Sequence, residues 1–158
     1  MSTSHPPAGP RHAALRRGRV SLSQQVYHVT ISTHSRLPVF KNHRAAVAAA
    51  RCFHDAELLG DARMRAWVLM PDHTHWLLQL GNRDTLSIVV ARLKSASARK
   101  VNRAIGHTGC LWATAYHDHA LRREEDVATM TRYIIENPLR AGLVEHIGDY
   151  PFWDSTWL

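Results

Sequence analysis

Hydrophobic positions along the chain follow two periods, and the points where one gives way to the other divide it into elements. Val26-Tyr27-His28-Val29-Thr30-Ile31-Ser32 alternates and is β-branched, which predicts a strand with Val29 and Ile31 on one face, ended by Ser35 and Pro38. From about Asn42 to Leu59, Ala46, Val47, Ala50, Phe53, Leu58 and Leu59 recur near helical spacing and predict one amphipathic helix closed by Gly60. Arg63 to Met70 and His73 to Leu80 are two strand-like runs separated by Pro71-Asp72, a hairpin with turn residues at its tip. Gly81 and Asn82 break the second run. Asp84 or Thr85 can then cap a long helix to about Ile105, its buried stripe formed by Leu86, Val89, Val90, Leu93, Val101 and Ile105. A short strand around Ala115 to Leu121 precedes a last helix. Glu124-Glu125-Asp126 suit that helix's first turn, and it ends near Asn137 because Pro138 disfavours helical geometry in the residue before it.

The predicted order, β-α-β-β-α-β-α, is an α+β split β-α-β arrangement with an antiparallel sheet and helices mainly on one face. One domain is expected over residues 21–158. Residues 1–20, rich in Pro, Gly, Ser and Arg, are expected to form a flexible basic arm. A length of 158 residues, 45% hydrophobic and 21% charged, suits one globular core. Charge changes the picture more. Twenty Lys and Arg against 13 Asp and Glu give +7, and the pI is about 10.1. No acidic residue precedes Asp55, and residues 85–117 carry no carboxylate, a bias expected of a partner of polyanions. Two cysteines, not spaced as C-x-x-C, point to a reducing compartment. With no signal-like run and no long apolar segment, the expectation is a soluble, cytoplasmic protein.

Two small constellations carry candidate chemistry. His73-Thr74-His75 opens a strand, where side chains at i and i+2 project from one face, so two imidazoles can converge on a divalent ion. Taken alone, the pair is equally a hairpin cap and a packing residue, and His117-Asp118-His119 shows how readily such a pattern arises. Tyr133 and Asn137, at i and i+4, share one stripe of the last helix. They too have a bland account, as a core phenol and a helix-ending amide. Together the four side chains offer two nitrogen ligands, one amide oxygen and one nucleophile.

At these residues the chain resembles a family. Met70-Pro71-Asp72-His73-Thr74-His75-Trp76-Leu77-Leu78 is similar to the M-P-N-H-x-H-x-L-L signature of IS200-like, single-tyrosine HUH transposases. Tyr133-Ile134-Ile135-Glu136-Asn137-Pro138-Leu139-Arg140-Ala141-Gly142-Leu143-Val144 resembles the Y-I-x-x-N-P-x-R-A-G-L-V block of their REP-associated tyrosine transposase branch. The resemblance covers most of the chain beyond residue 20. It implies a ferredoxin-like core with an added C-terminal helix carrying Tyr133 as nucleophile, and His73, His75 and Asn137 as ligands of Mg²⁺ or Mn²⁺. Two positions depart from the pattern. Thr74 replaces a bulky hydrophobic residue, and Asp72 replaces a common Asn, where its charge either tightens cation binding or repels phosphate.

The implied activity is nicking and strand transfer of single-stranded DNA beside REP-like hairpins through a 5′-phosphotyrosine, which conserves the energy of the broken bond. A cation would polarise the phosphate oxygens, and an imidazole and oxygen ligand set suits Mg²⁺ or Mn²⁺. DNA contacts are expected from the Arg92, Arg99 and Arg103 stripe, Lys94 and Lys100 beside it, Arg36, and Arg132 and Arg140 flanking the tyrosine. Trp76, Trp112, Tyr116 and Trp153 are candidates to stack unpaired bases. Two rivals stand: a non-catalytic nucleic-acid binder of the same fold, and a metal-dependent hydrolase using His73, His75, His117 and His119. The REP-associated branch leads us to expect a monomer.

Overall fold

The computed structural model describes residues 23–156, so the arm expected over residues 1–20 lies outside the described residues. Strand β1 (Val26–Ser32) is followed by helix α1 (His43–Cys52), the one-turn α2 (Ala56–Leu59), the hairpin β2 (Arg63–Met70) and β3 (His73–Gln79), and the long helix α3 (Leu86–Ile105). Then come β4 (His117–Leu121), α4 (Glu124–Ile135), the short α5 (Asn137–Arg140) and β5 (Trp153–Ser155). The strands form one sheet in the order β4-β1-β3-β2-β5, every pair antiparallel. Strand β3 lies between β1 and β2, and β1 between β3 and β4. Each β-α-β unit is therefore split by a strand from the other, which is the expected ferredoxin-like arrangement.

Alternation along the strands gives the sheet two different faces. On one, Val29, Ile31, Leu69, Trp76 and Leu78 pack under α1 and α3, whose Ala45, Ala46, Ala49, Val89, Val90 and Leu93 are buried with them. On the other, Val26, Ala66, Val68, Leu77 and Leu121 meet Val127 and Ile134 of α4. The two helices of the core thus share one face, and the added C-terminal helix lies on the opposite one. Helix ends follow local chemistry: Asn42 Oδ1 accepts from the Ala45 N–H at 3.1 Å, Thr85 Oγ1 from that of Ile88 at 3.4 Å, and α3 stops at Gly106, whose φ of 65° is left-handed.

Three details differ from the pattern-based reading. The single helix expected from Asn42 to Leu59 breaks after Cys52, because Asp55 Oδ1 accepts from the N–H groups of Glu57 and Leu58 and starts a new turn. At the break, fully buried Phe53 meets Trp67 and Trp76 edge-on, with ring centroids 5.2 and 5.1 Å away. Strand β5 was not expected. It pairs with Ala66–Val68 of β2, while the Tyr150 hydroxyl donates to the Leu69 carbonyl at 2.5 Å. Finally, Trp76 and Trp112 do not stack bases: both are core side chains, and Trp112 Nε1 donates to Ser97 Oγ at 2.8 Å. Tyr116 and Trp153 are half-buried. No helix among the described residues is long and apolar enough to cross a membrane.

Replacing Phe53 by Ala should cost about 3–5 kcal/mol, since the cavity would open between two indoles that cannot collapse onto each other. Urea unfolding checks this, and a loss below about 1 kcal/mol would contradict the packing role.

Candidate active site

Register builds the site. Pairing of β1 with β3 sets Ser32 opposite His73, Thr30 opposite His75 and His28 opposite Leu77. All these side chains share the face that α4 covers. The imidazoles of His73 and His75 lie with centroids 5.0 Å apart and planes at 86°. Tyr133, on α4, brings its ring to 6.5 Å from that of His75, at 83°. The phenol remains 48% exposed although its neighbours Ile134 and Ile135 are buried. A helix stripe anchored by one flank thus presents the other to solvent.

Arg140 holds the tyrosine from below. Its guanidinium carbon sits 3.9 Å from the ring centroid, Nη2 donates to the Tyr133 carbonyl, and Nη1 lies 3.8 Å from Glu136 Oε2. Asn137, half-buried, begins α5 four residues after Tyr133, beyond a turn at Glu136. Among the described residues no three His, Cys, Asp or Glu side chains group so as to hold a metal ion. A third protein ligand beside His73 and His75 would therefore have to be of another type, and an amide oxygen qualifies. Each histidine has its Nδ1 engaged within the protein, so Nε2 is the nitrogen that could meet a divalent cation.

Those engagements are specific. Asp72 Oδ1 lies 2.8 Å from His73 Nδ1, and His28 Nε2 lies 2.9 Å from His75 Nδ1, with Thr30 Oγ1 at 3.1 Å from the same atom. Asp72 also meets Arg36 Nε at 3.4 Å, and Arg36 donates to Ser32 Oγ at 2.7 Å. Ser35 and Arg36 both take φ near +55°, a costly conformation at the rim of the site. Burial works against the Asp72 charge, but the hydrogen bond from His73 and the electrostatic attraction of His73 and of the Arg36 guanidinium outweigh it and hold the carboxyl below its ordinary value. Burial pushes His75 down to about 3, helped by His28, His73 and Arg140, and pushes His28 down to about 4, helped by His119. Both rings stay neutral at physiological pH. Thr74 points to the other face, fully buried, and its hydroxyl donates to the Val68 carbonyl at 2.9 Å, so a polar side chain occupies a core position without an unpaired group.

The basic residues are placed unevenly. Arg92 bonds Asp84 Oδ2 at 2.7 Å and the Leu58 carbonyl at 2.8 Å, and Lys94 donates to the Ala113 and Thr114 carbonyls at 2.8 and 3.1 Å. Lys100 lies 3.9 Å from Asp55, while Arg99 and Arg103 are exposed. This whole group belongs to α3, across the sheet from Tyr133. Arg132 is exposed beside Tyr133. On the tyrosine's own face an open cavity of about 740 Å³ runs between β4 and α4, lined by His119, Arg122, Arg123, Thr129 and Met130 among others. His117 pairs opposite Thr30, which itself neighbours His75, so His117 and His75 stand two strands, about 10 Å, apart. Among the described residues these histidines do not group so as to hold a metal ion together, which leaves the four-histidine hydrolase site without support. His28, Thr30, Arg122 and Arg123 were not singled out from the sequence. The β1 alternation puts His28 and Thr30 opposite Val29 and Ile31, but only the register shows which strand they meet.

Residues 21–137 match the protein family described as Transposase IS200 like. A candidate REP-associated tyrosine transposase of Haemophilus influenzae is 32% identical over 94 residues, 53% of this chain and 53% of that protein. The REP-associated tyrosine transposase of Escherichia coli K12 is 30% identical over 94 residues, 56% of this chain and 52% of that protein. The chain thus spans about half the length of these curated relatives. A solved structure of a REP-associated tyrosine transposase bound to a REP hairpin superposes with a TM-score of 0.67 at 22% identity, covering 85% of this chain and 79% of the other, and so shares the fold.

Because His28 and His75 bind protons less readily folded than unfolded, the unfolded chain holds more protons below about pH 6.5. Their contribution is complete above that pH and is lost as pH falls toward 4 and then 3. Stability of the metal-free protein should drop by at most about 1.4 kcal/mol per pH unit for each ring. Urea unfolding at pH 7.5 and 5 tests this; equal stabilities, or an acid loss no smaller in His28→Asn, would refute it.

Proposed function

From its membership of the IS200-like transposase family, we propose that this chain nicks and rejoins single-stranded DNA beside hairpins through a covalent tyrosine intermediate. The observation that carries the reading is the meeting, within one chain, of the Tyr133 phenol with the His73-Thr74-His75 pair, rings 6.5 Å apart on a solvent-open face. The REP-associated tyrosine transposases of similar sequence, and the hairpin held by the fold neighbour, support a REP-like hairpin as partner. One copy supplies both halves of the site, which favours a monomer.

Tyr133 Oη attacks the scissile phosphorus. The new bond joins the phenolic oxygen to phosphorus as the P–O3′ bond breaks; the phenol proton leaves to solvent or a local base, and the departing oxygen becomes a 3′-hydroxyl. Attack of another 3′-hydroxyl on the phosphotyrosine reverses the step and restores the phenol, so strands exchange without ATP. Arg140, stacked on the ring, fixes the direction from which the oxygen approaches and puts a positive charge beside an anionic phosphate. His73, His75 and Asn137 are the residues that would hold Mg²⁺ or Mn²⁺, which when bound supplies Lewis-acid polarisation of the phosphate oxygens. Arg122 and Arg123 border the open cavity on the same face and are suited to track the single-stranded flank, while Arg36, Arg132 and the exposed Arg99 and Arg103 remain candidates for outer phosphates.

Incubation with end-labelled single-stranded DNA carrying a REP-like hairpin and flanks, in Mg²⁺ or Mn²⁺, should yield a denaturation-resistant protein–DNA adduct that Tyr133→Phe abolishes with hairpin affinity kept within about threefold. Hairpin binding with no adduct from the wild-type chain would favour the non-catalytic reading, and an adduct that survives Tyr133→Phe would remove Tyr133 from the mechanism. Arg122→Ala with Arg123→Ala should lower the salt dependence of flank binding by about two counterions; an unchanged slope would place the strand elsewhere.

A further inference from the structure

We propose that Asp72 and His28 are positioning residues that turn His73 and His75 so that each presents Nε2, and not Nδ1, to a divalent cation. The inference rests on the cation reading above and deepens it. A neutral imidazole carries one proton; the nitrogen that binds a cation must be the bare one, so the other carries the hydrogen and needs an acceptor where water is scarce. Both rings meet that condition at Nδ1. His73, whose side chain is 17% exposed, has the Asp72 carboxylate 2.8 Å from Nδ1. His75, 8% exposed, has His28 Nε2 at 2.9 Å and Thr30 Oγ1 at 3.1 Å.

The acceptors are themselves held. The Asp72 carbonyl accepts from the Thr33 N–H at 2.9 Å and from Thr33 Oγ1 at 3.1 Å, and its second carboxylate oxygen faces Arg36. His28 lies edge to edge with His75, ring centroids 5.1 Å apart and planes within 24° of each other, as a hydrogen bond between ring nitrogens requires, and its backbone is paired on both sides, to Leu77 and to His119. One ligand is thus oriented by a carboxylate from the hairpin turn and the other by an imidazole from the neighbouring strand. A carboxylate at position 72 acts through the ring it holds, and an amide oxygen there would accept the same hydrogen.

Long-range ¹H–¹⁵N spectra of the metal-free full chain at pH 8 report the tautomer of each ring directly. Wild-type His73 and His75 should both be protonated at Nδ1. His28→Ala should shift His75 alone toward the Nε2-protonated form, Asp72→Ala should shift His73 alone, and Asp72→Asn should keep the wild-type tautomer. Mn²⁺ titration followed by electron paramagnetic resonance should show affinity falling about 10–100-fold in either alanine variant and recovering in Asp72→Asn. An Nε2-protonated ring in the wild type, or Mn²⁺ affinity unchanged in both alanine variants, would overturn the inference. Failure of the wild-type chain to bind Mn²⁺ at all would overturn the cation reading and this inference with it. Should His28→Ala not fold, the wild-type spectrum of His75 decides its half.

Discussion

The antiparallel pairing of β1 with β3 is the constraint on which the rest depends. It lies at the centre of the sheet and assigns each strand residue to one of two jobs. Val29, Ile31, Trp76 and Leu78 go to the core under α1 and α3, while His28, Thr30, His73 and His75 go to the face that carries α4. Stability and chemistry are therefore drawn from the same seven-residue strands in strict alternation. The core side is almost wholly apolar. The other is apolar only at one end, where Val26, Leu77 and Leu121 seat α4, and polar at the end where Tyr133 emerges.

This division explains which parts could be read from the chain alone. Strands β1, β2 and β3, the hairpin at Pro71-Asp72 and helix α3 announced themselves, because alternation, turn residues and helical spacing are local signals. The break at Phe53 did not, since nothing in an alanine-rich run shows that two tryptophans distant in sequence will claim the aromatic ring. Strand β5 escaped for a similar reason. Three residues, Trp153-Asp154-Ser155, carry no period, and their strand character comes from the free edge of β2.

At the site, the motif residues were legible as residue types, whereas their surroundings were not. That His73 leans on Asp72 follows the adjacency of the two residues, but that His75 leans on His28 requires the strand order. Basic residues show the opposite lesson. Helical spacing placed Arg92, Arg99 and Arg103 on one stripe, yet Arg92 is committed to Asp84 and the Leu58 carbonyl, so its charge helps hold α3 to the preceding turn. A count of arginines on a helix does not reveal which of them fasten the protein to itself.

Strand β4 forms one rim of the sheet, and among the described residues no strand pairs with its outer side. A bare rim of this kind invites a strand from another molecule, the first move of intermolecular aggregation. Here the rim is five residues long and bears His117, Asp118 and His119, so an incoming strand would strip water from polar and ionised groups. The rim is thus its own guard: it leaves the neighbouring groove open without offering neighbouring copies a surface on which to grow.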